Sequence, residues 1–106
     1  MMEFLHVGAP TKTVQPNETH AAGLGVFITN PDEHVFKFEF LRFEAGSPLP
    51  QLLQDNPHVA FKVDSIEKYS QNATVIVEPF AIDEKTRIAF IVKDGVILEL
   101  MEVKPD

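Results

Sequence analysis

The chain is 106 residues long, enough for one small core, and 44% of it is hydrophobic and 24% charged. Sixteen acidic residues against nine basic ones give a net charge of −7, and the Lys and Arg are scattered, so nucleic acid is not expected as a partner. No cysteine is present, which removes disulfides, zinc-thiolate sites and thiol nucleophiles together; any metal site must be built from His and carboxylate. The opening Met1-Met2-Glu3-Phe4-Leu5-His6 has an acid where a signal peptide needs a cationic region, and no apolar run nears bilayer length. A cytoplasmic protein without a membrane partner is the expectation.

Proline and glycine punctuate the chain. Leu5 to Gly8 reads as a short strand, and residues 11–23, with Pro16, Asn17 and Gly23, as loop or poor helix. Gly25 to Thr29 is a strand, Asn30-Pro31-Asp32-Glu33 a turn, and His34 to Phe43 a longer strand. Gln51 to Asp55 resembles one or two helical turns that Pro57 stops. His58 to Val63 is then a strand, and Asp64-Ser65-Ile66-Glu67 reads as an N-cap and capping box that opens a helix with Ile66, Tyr69 and Ala73 on one side. Thr74 to Val77 is a strand ended by Pro79, and strands Arg87 to Val92 and Val96 to Val103 are joined by Asp94-Gly95, a strong hairpin signal.

The two halves echo one another: Leu5-His6-Val7-Gly8 matches Pro57-His58-Val59-Ala60, and Phe38-Glu39-Phe40-Leu41 matches Leu98-Glu99-Leu100-Met101. Side chains alternate along a strand, so parity shows which residues share a face. His6 opposes Leu5 and Val7, Glu39 opposes Phe38 and Phe40, His58 opposes Val59 and Phe61, and Glu99 opposes Leu98 and Leu100. Each half therefore offers one His on its first strand and one Glu on its last. Two neutral imidazoles and two carboxylates in one cleft form a ligand set for Zn, Ni, Co, Mn or Fe(II). His20 and His34 sit in polar, turn-like surroundings, and Glu44, Glu78 and Glu102 flank strand ends as surface charge. Gly23-Leu24-Gly25 lacks the third glycine of a dinucleotide loop.

These residues resemble the vicinal oxygen chelate superfamily, which contains glyoxalases, bleomycin-resistance proteins and extradiol dioxygenases. The resemblance rests on Phe38-Glu39-Phe40-Leu41-Arg42-Phe43, Pro57-His58-Val59-Ala60-Phe61-Lys62-Val63-Asp64 and Gly95-Val96-Ile97-Leu98-Glu99-Leu100, and runs over essentially the whole chain. It implies an α+β fold of paired β-α-β-β-β modules in a curved mixed sheet, with the first module abbreviated. It also implies a single domain over residues 1–106, with module one at about 1–46, a linker at about 47–56 and module two at about 57–106. The metal ligands by position are His6, Glu39, His58 and Glu99, a set similar to that of bacterial-type glyoxalase I. A homodimer is implied as well.

The first functional expectation is a metal-dependent isomerase or lyase acting on a small oxygen-bearing substrate through a metal-chelated enediolate. In this reading Glu39 or Glu99 moves the proton as the catalytic residue, and His6 and His58 are structural ligands. Val7-Gly8-Ala9-Pro10-Thr11 follows His6 without a base before Lys12, which argues against lactoylglutathione as the substrate. A second reading is a metal-free, drug-sequestering binding protein using Phe27, Phe43, Phe90 and the acidic balance. A third keeps His6, His58 and Glu99 as the facial triad of an Fe(II) extradiol-type dioxygenase.

Overall fold

The computed structural model describes residues 1–105. It is an α+β protein of eight strands and two short α-helices, with strands paired in both senses. Two compact units are distinguished: one runs from His6 to His58, and the other combines Met1–Leu5 with the chain from Val59 onward. Strand β1 (Met2–Pro10) contributes to both.

In the unit from His6 to His58 the strand order is β2-β3-β4-β1. The later residues of β1 pair in parallel with β4 (Phe38–Phe43), Val7 opposite Phe38 and Gly8 opposite Glu39. Strand β3 (Val26–Ile28) pairs antiparallel with β4, and β2 (Thr19–Ala21) antiparallel with β3. No α-helix forms between β1 and β3. Pro16 and a left-handed Asn17 (φ 60°) interrupt the segment, and only a 3-10 turn at Ala22–Leu24 follows β2. Side chains fasten this stretch instead. Arg42 on β4 donates from Nε and Nη2 to both oxygens of Glu18 at 2.9 and 2.7 Å, and its guanidinium lies 4.2 Å from the centre of the Phe27 ring. That fork holds the Glu18 carboxyl below the usual carboxylate range. Helix α1 (Gln51–Asp55) buries Leu53 and ends before Pro57, as the sequence leads one to expect.

Strand β4 begins four residues later than the sequence pattern implies. Lys37 is left-handed (φ 60°), and the Phe36 amide donates to His34 Nδ1 at 3.0 Å, which folds His34–Lys37 into a turn. The alternation of Phe36, Phe38 and Phe40 records ring packing, at 6.0 and 6.2 Å between centroids, rather than a continuous strand.

In the other unit the order is β1-β5-β8-β7-β6. Strands β7 (Thr86–Lys93) and β8 (Val96–Val103) form the expected hairpin, with Asp94 and Gly95 both left-handed at φ 52° and 80°. Strand β6 (Thr74–Ala81) passes through Pro79 rather than stopping before it. It lies at the end of the strand order, and its pairing with β7 shifts register between Val75 and Val77 and again before Phe80. Proline is accommodated there because a bulged edge strand does not need every N–H. Helix α2 (Ile66–Tyr69) is short and does not reach Ala73; its N-cap is Ser65, whose hydroxyl accepts from the Lys68 amide at 3.2 Å. Val63, Ile66, Ala89, Ile91 and Leu100 make the core of this unit, with Phe61, Tyr69, Ala73 and Leu98 packed on it. Among the described residues no helix is long and apolar enough to cross a membrane.

Candidate metal centre

His6 is in β1, Glu39 in β4, His58 opens β5 (His58–Val63) and Glu99 is in β8. Each is buried or nearly so: His6 is 7% exposed, His58 2% and Glu99 7%, and the Glu39 side chain 16%. Pairing fixes the first two. Gly8 stands opposite Glu39, and His6 shares the face of Gly8 two residues away, so His6 and Glu39 project to the same side. The result is a contact of 3.4 Å between His6 Nε2 and Glu39 Oε1. Pro57 restricts Asn56 to the extended conformation, φ −134° and ψ 147°, and delivers His58 directly into its strand. The His6 and His58 rings then meet edge to face, centroids 6.1 Å apart at 72°.

One ligand atom from each of His6, Glu39, His58 and Glu99 can be chosen so that all lie within 4.8 Å of one another. Donors bound to a common ion at about 2.1 Å stand about 3–4 Å apart, so a contraction of about 1–2 Å in the widest separation closes the set. Buried carboxylates are costly without positive charge beside them. Both arginines of the chain serve other acids, Arg42 holding Glu18 and Arg87 holding Glu67 and Glu102. Imidazole nitrogens and carboxylate oxygens form a donor set that fits a borderline divalent ion, which would bring positive charge to the carboxylates.

The other candidates lie elsewhere. His20 sits on β2, stacked on Phe27 at 4.3 Å and paired with Glu44 Oε1 at 2.7 Å. His34 stacks on Phe38 at 4.7 Å. Of the aromatic residues named for a metal-free ligand site, Phe27 is covered by His20 and Arg42, Phe90 is buried in β7, and Phe43 lines an open depression with Lys12, Gln51 and Gln54. Glu102 departs from the expectation of surface charge. It accepts from the Ile66 amide at 2.9 Å and from Arg87 Nε at 3.0 Å, because the end of β8 runs beside the start of α2. The sequence also gives no weight to Gly8, although its place two residues after His6, where Ala60 follows His58, is a usable signal.

No protein-family model matches the chain, and no curated protein matches it. Among solved structures it is similar to a hypothetical protein, BH1468, from Bacillus halodurans C-125, with a TM-score of 0.64 and 19% identity over 99% of this chain and 96% of that one. That likeness is one of fold.

Proposed function

We propose that His6, Glu39, His58 and Glu99 hold a divalent metal ion, and that the protein is a metal-dependent lyase or isomerase of the glyoxalase-like type acting on a small oxygen-bearing substrate. The observation that carries this reading is the gathering of two buried imidazoles and two carboxylates within 4.8 Å. The α+β fold with strands paired in both senses is compatible with the vicinal oxygen chelate resemblance. A metal bound there supplies Lewis-acid charge to adjacent substrate oxygens. In this reading His6 and His58 hold position, and Glu39 or Glu99 carries the proton at the neighbouring carbon.

The test is metal analysis of purified protein after repletion with Zn, Ni, Co, Mn or Fe(II), repeated on His58→Ala. Wild type is expected to retain a divalent ion, and the variant to bind it more than about 100-fold less tightly. A wild type that holds no divalent ion after repletion overturns the reading.

A further inference from the structure

Gly8 lies in the later part of β1, buried, with Glu39 as its register partner on β4 and His6 two residues before it on the same face. Any side chain at this position would point toward the side occupied by the two ligands. The space it would fill is already taken: a Cβ built on Gly8 would overlap Cε1, Nδ1 and Nε2 of His58. The His58 imidazole therefore lies against bare backbone, an approach that only glycine permits. Gly8 is absent from the glycines with positive φ, so alanine is compatible with its backbone and the steric objection comes from the ring. That ring has little freedom to yield, because His58 is 2% exposed.

We infer that Gly8 is a positioning residue for His58: the missing side chain on β1 is the seat that sets the imidazole beside His6 and Glu39. The metal part of its test rests on the function proposed above; the steric part does not. Four proteins decide it: wild type, Gly8→Ala, His58→Ala and the double variant. The readouts are thermal melts, titration with a divalent ion, and the Cε1–H resonance of His58 by NMR.

Gly8→Ala is expected to move that resonance, lower the melting temperature by at least about 5 °C, and weaken divalent-ion binding by about 10–100-fold. In the His58→Ala background the same change should cost nothing, because the clashing ring is gone. An equal loss of melting temperature in both backgrounds, an unmoved resonance, or an unchanged ion affinity in Gly8→Ala overturns the inference. If wild type binds no ion, the proposed function fails by itself, and the melts and the resonance still decide the role of Gly8. If Gly8→Ala does not fold, a double variant that folds supports the inference and one that does not fold overturns it.

Discussion

Glu102 illustrates how one residue at a strand end can tie two elements together. Its carboxylate receives the Arg87 guanidinium and the Ile66 amide, while Arg87 also reaches Glu67 at 2.7 Å. The hydrogen bond from Arg87, and then that from Ile66, hold the Glu102 carboxyl below the usual carboxylate range. A carboxyl with a depressed folded-state value contributes stability that is fully present above its unfolded value of about 4.3 and is lost as pH falls through the folded value. Glu102→Gln should lower stability by about 1–2 kcal/mol at neutral pH. Its melting temperature should also fall less steeply than that of wild type below about pH 4.3; calorimetry across that range checks both, and parallel curves would remove Glu102 from the acid response. At this scale His6, Glu39, His58 and Glu99 are legible in the sequence because alternation sets each against an apolar neighbour. Glu102 is not, because its partners Ile66 and Arg87 come from distant parts of the chain, and for Gly8 the small residue two places after each His is a signal that does not name His58 as the ring it must clear.

Elements follow the same division. The β7–β8 hairpin is readable because Asp94-Gly95 carries its own turn chemistry, with both residues in the left-handed region. Gly95→Ala places a Cβ in that region and should cost about 1 kcal/mol, seen as a lower denaturation midpoint with an unchanged slope. An unchanged midpoint would show that the turn does not set the hairpin's stability. The start of β4 and the course of β6 are less readable. Tilted aromatic contacts of Phe36 with His34 and Phe38 imitate strand periodicity, and Pro79 signals a stop only where the ladder requires a backbone N–H that proline lacks. Residues 11–23 carry weak local preference, and their conformation depends on the Glu18–Arg42 ion pair made 24 positions apart.

At the scale of the whole molecule, a metal held by buried residues binds the native state in preference to the unfolded chain, so ion concentration should act directly on stability. At a free ion concentration of about 100 times Kd the gain is about 2.7 kcal/mol, which corresponds to a rise of about 10–20 °C in melting temperature for a chain of this size. Thermal melts with a divalent ion and then with excess chelator should show the rise and its reversal; His58→Ala should show neither, and a rise that survives in that variant would place the ion elsewhere. The echo between the two halves makes this organisation partly visible in the sequence, since each half supplies one His and one Glu. What the echo does not show is how unequal the halves are, with a three-residue strand and a 3-10 turn in one and a four-residue α-helix and a long hairpin in the other. The interrupted strand β6 has a further consequence, for behaviour at high concentration. A long, regular outer strand is a template on which other chains can add, and such growth is how sheets aggregate. Two register shifts and a proline without a donor deny β6 that regularity, so the longest exposed margin of this sheet is poorly suited to recruiting a neighbour.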